Sequence, residues 1–230
     1  MQQLTLDIAA APAPTLRNFA VGRNSEVLAA LARWLGGEPR ASCVYLWGVS
    51  GAGKTHLLSA AVHAVREAGA PARLCSADEA GASLAGPDTP APCEAVAVDD
   101  VERLDTAAQA ALFSLFVRAE EERPRLLLAG APAPAALGLR EDLRTRIGAG
   151  LVLQVHQLSD DEKIGALRAH ARERGFELPL DAATHLLRHA RRDLPSLLGV
   201  LDALDEYSLR EKRPVTAALL RDVLQDQREN

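Results

Sequence analysis

Aromatic residues are scarce: two Trp, two Tyr and four Phe in 230 residues. A core with so few rings must rely on aliphatic side chains and alanine, a composition that favours helices over an all-β sandwich. Cysteine is rarer still. Cys43, Cys75 and Cys93 are an odd number at wide spacing, two of them in apolar, strand-like runs. They read as reduced core residues and argue against a disulfide frame or a zinc site. No run approaches the length of a membrane span, and the N-terminus lacks the basic start and long apolar stretch of a secretory leader. A cytoplasmic protein with no membrane attachment is therefore expected. Positive charge is also short: 26 Lys and Arg against 31 Asp and Glu leave a formal net charge of −5. That balance argues against strong, nonspecific binding to DNA, although a local basic face is compatible with it. The length allows one good core and a small second one, hence two unequal domains.

What is present centres on Gly48-Val49-Ser50-Gly51-Ala52-Gly53-Lys54-Thr55, which fits G-x-x-x-x-G-K-[ST] and follows the apolar run Cys43 to Trp47. This reads as a strand, a glycine loop and the start of a helix. The glycines let the backbone take positive φ and approach a polyphosphate, whose oxygens accept from N–H groups at the helix N-terminus. Lys54 would place a charge between the outer phosphates, and the Thr55 hydroxyl would be a ligand for Mg²⁺. The alternative is a chance glycine-rich turn. Against it, Leu57, Leu58, Ala61 and Val65 continue at helical spacing.

Residues 1 to 14 combine Gln3-Leu4-Thr5-Leu6-Asp7-Ile8 with a Pro/Ala tether. In an extended peptide Leu4, Leu6 and Ile8 share one side, as in a short motif presented to a groove on a partner; a frayed end or an edge strand is the other reading. Ser25 is placed to cap a helix through Val27, Leu28, Leu31 and Leu35. Arg73 to Cys75 reads as a second strand and the stretch from Gly81 to Pro92 as a loop. The run Ala95 to Val98 is a buried strand ending in Asp99 and Asp100. Ligands of α/β sheets bind at the carboxyl ends of strands, so Asp99 would hold Mg²⁺ and Asp100 could polarise an attacking water; an acidic helix cap is the alternative. A helix from Thr106 to Glu121, a strand at Leu126 to Leu128 and a last strand at Leu151 to Val155 complete a five-stranded α/β layer fold. After His156 only helices are expected, over Asp160 to Arg174, Pro179 to Ala190, Pro195 to Arg210 and Thr216 to Gln227.

The intact loop, the Val-Asp-Asp strand end, the segment Leu143-Arg144-Thr145-Arg146-Ile147-Gly148 and the helical tail together resemble the AAA+ ATPase module of the bacterial replication initiator DnaA. The resemblance runs from Leu16 to about Leu224. The opening peptide, Gly175-Phe176-Glu177-Leu178-Pro179 and Lys212-Arg213-Pro214-Val215-Thr216 are similar to the Hda family, short DnaA-like regulatory inactivators of that initiator. The resemblance implies a clamp-binding peptide and linker over 1–14, an AAA+ domain over 15–156 and a helical lid over 157–230. It implies that Gln3, Leu4, Leu6 and Ile8 bind the replicative sliding clamp and that DnaA is a partner. ADP or ATP with Mg²⁺ is the implied cofactor, contacted by Gly48, Ser50, Gly51, Ala52, Gly53, Lys54, Thr55 and His56, with Val21, Gly22 and Pro195. Arg146 is the implied arginine finger, acting in trans on a neighbouring subunit's nucleotide; Arg144 is the fallback, and a surface arginine paired with Glu141 or Asp142 the plain alternative. A homodimer through the same face is plausible for such modules.

Two departures from the family pattern bear on chemistry. Ala131 stands where a polar sensor residue normally follows the fourth strand, and Pro195 aligns with the second sensor's arginine. Arg191 and Arg192 are near, but a shift of one helical turn moves the head by roughly 5 Å. Nucleotide binding with weak hydrolysis of its own is therefore expected. The favoured reading is a negative regulator of replication initiation, a nucleotide-bound adaptor on the clamp that stimulates hydrolysis of DnaA-bound ATP. Alternatives are a DnaA-like ATPase that loads a helicase or grips single-stranded DNA, and a small-molecule kinase using Arg172 and Arg174. His185 and His189 lie one helical turn apart but lack a zincin glutamate, and Arg188, Arg191 and Arg192 read as a solvated face.

Overall fold

A computed structural model describes residues 13–38, 42–85, 94–122, 124–190 and 193–211. The peptide with Gln3, Leu4, Leu6 and Ile8, the pair Arg191 and Arg192, Cys93 and the expected helix from Thr216 to Gln227 lie outside the described residues.

Five short apolar runs become one parallel sheet: β1 (Cys43–Trp47), β2 (Ala72–Cys75), β3 (Ala95–Val98), β4 (Arg125–Gly130) and β5 (Leu151–Gln154). Their order is β2-β3-β4-β1-β5, and every pairing is parallel. Parallel neighbours need long crossovers, supplied by α2 (Lys54–Glu67), α3 (Ala77–Ala85), α4 (Thr106–Glu122) and α5 (Glu141–Ala149), while α1 (Ser25–Leu35) precedes β1. The strands' period of two sorts their side chains between two cores. Val44, Leu46, Ala95, Ala97, Leu127 and Ala129 face Leu31 and Trp34 of α1 and Leu57 and Leu58 of α2. Tyr45, Val96, Val98, Leu126 and Leu128 face α3, α4 and α5.

Two expectations need correction. The segment read as a loop from Gly81 begins inside α3, because Ala77, Ala80 and Leu84 recur at helical spacing and bury against Leu112 and Leu115 of α4. Residues 86–93 lie outside the described residues. Ser25 is not a cap but the first residue of α1. Asn24 takes the cap position without capping, because its amide is spent on His156: Nδ2 donates to the His156 carbonyl at 2.9 Å and Oδ1 accepts the His156 N–H at 2.7 Å.

The described residues fall into two compact units, one covering Ala13–Gln157 and the other beginning at Leu158. The second contains α6 (Asp160–Glu173), α7 (Leu180–His189) and α8 (Leu194–Glu211) around Leu167, Leu186, Leu187, Leu197, Leu201 and Leu204. Ser159 and Glu162 close a reciprocal capping box on α6. Gly175, at φ +89°, ends it in a left-handed turn. Asp202 of α8 accepts from Arg174 Nη2 at 2.8 Å and pairs with His170 Nε2 at 2.6 Å, tying α8 to α6. Among the described residues no helix is long and apolar enough to cross a membrane.

Burial pushes the Cys43 thiol up to about 12. Burial, helped by the Glu79 carboxylate and opposed by Arg73, pushes Cys75 up to about 11. A raised thiol pKa favours the unreactive protonated form at every pH below it. Alkylation of the native protein at pH 8, read peptide by peptide by mass spectrometry, should modify Cys43 and Cys75 on the order of 100-fold more slowly than the unfolded chain.

Candidate functional site

The phosphate loop joins β1 to α2, and its glycines are demanded by space as well as by torsion. Gly48 has φ +155°, and a Cβ there would lie 2.3 Å from the Val155 carbonyl oxygen. Gly53 has φ +98°, and its Cβ would come within 2.8 Å of the Phe19 ring. The loop is thus pressed between the exit of β5 and the segment ahead of α1. Lys54 is buried, with Nζ donating to the carbonyls of Gly48 at 2.8 Å and Val49 at 3.2 Å. Ser50 and Gly51 are exposed at the loop's tip, and Ala52 is buried beneath it, its N–H donating to the Val49 carbonyl.

Thr55, in the first turn of α2, donates its hydroxyl to Asp99 Oδ2 at 2.6 Å. Asp99 follows β3, is 8% exposed, and accepts the Asp100 N–H on its other oxygen at 3.0 Å. Hydroxyl and carboxylate, both hard oxygen ligands, therefore meet at the carboxyl edge of the sheet beside the lysine. Asp100 itself is turned outward at φ +52°, the left-handed region that Asp tolerates better than most residues, and its carboxylate lies 3.8 Å from Arg103 Nη1. The three glycines, the N-terminus of α2, Lys54, Thr55 and Asp99 form a donor set that fits a nucleoside polyphosphate with a divalent cation.

Around the loop the structure adds contacts that sequence reasoning passed over. His56 Nε2 lies 3.0 Å from the Thr15 carbonyl, and its ring sits 5.6 Å from that of Phe19. Val21 and Gly22 form the turn before Asn24, whose two hydrogen bonds with His156 pin that turn to the strand exit. The bare Cα of Gly51 faces the Gln157 amide. At the end of β4, Ala131 presents only its backbone, and its N–H donates to Glu102 Oε1 at 3.0 Å. The second oxygen of Glu102 is buried without a partner, while burial and the Glu102 charge both raise the Tyr45 hydroxyl pKa. None of these contacts has a periodic signature.

Arg146 stands on α5. Leu143 and Ile147, one turn apart and fully buried, clamp that helix to the sheet face shared with α4, opposite the face covered by α2. Arg146 is half-buried, its guanidinium carbon 5.2 Å from the Phe113 ring centroid. Asp142, on the same helix, pairs with Arg140 at 2.6 Å. An open cleft of about 900 Å³ is lined here by Phe113, Arg140, Glu141, Asp142, Thr145 and Arg146. Arg144 is half-buried on the same helix.

In the helical unit Pro195 occupies the first turn of α8, where a missing N–H costs nothing; Asp193 accepts the Ser196 N–H at 3.0 Å in front of it. The rings of His185 and His189 stack at 4.0 Å, and His189 Nδ1 is 2.9 Å from the His185 carbonyl. Among the described residues no three His, Cys, Asp or Glu side chains converge as a metal site would require.

The fold is similar to domain III of the Thermotoga maritima replication initiation protein DnaA, with a TM-score of 0.72, 21% identity, and coverage of 94% of this chain and 98% of that one. It is also similar to AMPPCP-bound DnaA from Aquifex aeolicus, with a TM-score of 0.69, 22% identity, and coverage of 86% and 68%. Thermotoga maritima RuvB, a Holliday junction branch migration motor, follows at 0.64 and 19% identity, covering 92% and 71%. The fold is that of a DnaA-like AAA+ module. Residues 160–224 match the family model described as the Hda lid domain. Over those residues the chain is similar to the lid domain of that family.

Lys54→Ala removes a buried charged donor and should weaken binding of a fluorescent adenine nucleotide by about 10- to 100-fold. Asp99→Asn should abolish most of the Mg²⁺ dependence of that binding while leaving the metal-free affinity within about threefold, both read by fluorescence titration.

Proposed function

We propose that this chain is a nucleotide-bound adaptor that lends Arg146 to ATP held by DnaA, and so switches the initiator off. The observation that carries the reading is the setting of Arg146. It is a half-buried cation on a rigidly anchored helix, on the sheet face opposite α2, beside an open cleft built from α4 and α5. A guanidinium reaching a neighbour's nucleotide neutralises charge that grows on the transferred phosphoryl oxygens, an effect of about 10³ to 10⁵ in rate.

The chain's own site would hold ADP or ATP through the loop from Gly48 to Thr55, with Val21, Gly22 and His56 flanking it and Thr55 and Asp99 on Mg²⁺. Its grip is complete but its trigger is poor. Ala131 has no polar side chain, its N–H is engaged by Glu102, and Pro195 has no N–H to donate. Asp100, the remaining candidate for polarising water, is drawn toward Arg103. Own turnover is therefore slow, and the bound nucleotide acts as a structural prop. Gln3, Leu4, Leu6 and Ile8 provide the contact to the sliding clamp, and a tether of this kind raises the local concentration of Arg146 around replicating DNA, so that modest affinities suffice. The face that meets DnaA is also the face through which two copies would pair.

Two variants separate the parts. Arg146→Ala should leave capture by immobilised sliding clamp unchanged and lower clamp-dependent hydrolysis of DnaA-bound ATP by about 10³ or more. Deletion of residues 1 to 8 should do the reverse: clamp capture is lost while hydrolysis, forced by a large excess of the adaptor, persists. Wild-type stimulation by Arg146→Ala would remove the central claim.

A further inference from the structure

We infer that His56 and Asn24 are positioning residues for the nucleoside half of a bound nucleotide. They pin the strap between Thr15 and Asn24 at its two ends and hold the turn at Val21 and Gly22 as a preformed wall beside the phosphate loop. The inference rests on reading that loop as a nucleotide site.

The strap starts from a small knot. Thr15 N–H donates to Asn18 Oδ1 at 2.9 Å, Asn18 N–H donates to Thr15 Oγ1 at 3.2 Å, and Asn18 Nδ2 donates to the Ala13 carbonyl at 3.0 Å. The Thr15 carbonyl is left for His56, whose Nε2 stands 3.0 Å away; a carbonyl only accepts, so that nitrogen carries the proton. Phe19 then lies against the bare Cα of Gly53, the last glycine of the loop. The other end is fixed near the first glycine. Asn24, 1% exposed, gives both polar atoms of its amide to His156, and His156 follows Val155, whose carbonyl leaves no room for a Cβ at Gly48. The strap thus runs from one end of the phosphate loop to the other.

Between the pins the chain is open. Val21 is 39% exposed, and Gly22 turns through φ +47°, in the left-handed region, so that the Asn24 N–H reaches the Val21 carbonyl at 2.8 Å. The uncovered Val21 side chain gives a ligand an apolar edge, suited to a nucleoside and of no use to a phosphate. A nucleotide anchored by its phosphates must extend out of the loop, and its uncharged part gains most from a wall already held still. The loop N–H groups and Lys54 meet the phosphates whether or not the strap is in place. Loss of either pin therefore weakens the hold on a nucleotide and leaves a phosphate-only ligand bound as before.

The test titrates the full chain calorimetrically with ADP and, separately, with inorganic pyrophosphate, each with Mg²⁺. His56→Leu and Asn24→Ala should each raise the Kd for ADP about tenfold while moving that for pyrophosphate by less than about twofold. His56→Gln keeps an N–H donor and should return the ADP affinity to within about threefold of wild type. His56 is half-buried, so it carries the test even where Asn24→Ala, at a buried position, lowers the yield of folded protein. Pyrophosphate affinity falling in step with ADP affinity in the His56→Leu protein would mean that the pins only hold the loop together, and an unchanged ADP affinity would mean that the strap holds no nucleoside; either result overturns the inference. Should Lys54→Ala bind pyrophosphate and ADP like wild type, the reading of the loop fails instead, and the two failures are told apart because the pin variants retain Lys54.

Discussion

A single hydrogen bond, Thr55 Oγ1 to Asp99 Oδ2 at 2.6 Å across 44 residues of sequence, is the point at which the sheet becomes a site. β1 and β3 are not neighbours; β4 lies between them. The phosphate loop must therefore pass over the end of β4, and there the Gly130 carbonyl accepts the Gly48 N–H at 3.3 Å. Position 130 has no room for a side chain on account of other neighbours, since a Cβ would stand 2.5 Å from the Tyr45 hydroxyl and 2.7 Å from Glu102 Oε2. With the crossing made, α2 starts above the strand ends and Thr55 reaches Asp99. A carboxylate this buried needs its donors, because a buried charge left unpaired costs several kcal/mol. Thr55 and the Asp100 N–H supply them.

The parts of this arrangement legible in the sequence are those written in neighbouring residues. Cys43 to Trp47 and Ala95 to Val98 are continuous apolar runs because both faces of a parallel strand are covered, and the glycine spacing states the loop's torsions directly. The nearly uniform Ala/Val run of β3 even conceals a division of labour, alanines toward α1 and α2 and valines toward α3 to α5. What escaped notice depends on partners far away. α3 is short and alanine-rich, and its helical state follows from burial of Ala80 and Leu84 against α4 more than from propensity. Asn24, not Ser25, holds the cap position, and its amide is a brace to His156, 132 residues on. No local pattern marks Phe113 as the ring on which Arg140 and Arg146 converge.

The arginine face obeys the opposite logic to the loop. The loop works by backbone, so side chains there are small; a cation that is to project needs its helix held by something else. Leu143 and Ile147 do this from beneath α5. At its end, Gly150 runs so close to β1 that a Cβ would lie 2.7 Å from the Cys43 carbonyl. A nine-residue helix fastened at its underside and its exit has little freedom to swing. Motion of the Arg146 guanidinium is then confined to its own side-chain torsions.

Ala131 and Pro195 are both committed to local structure. Pro195 has no N–H to donate, and it begins α8 behind the Asp193 cap, so the helical unit gains a defined start. Ala131 likewise yields its only donor to Glu102, which locks the end of β4 under the loop crossing. Both positions give local order. On the function proposed above, slow turnover of the chain's own nucleotide would keep the loop around Thr55 and Asp99 ordered, while α5 offers a cation to a phosphate held by another molecule.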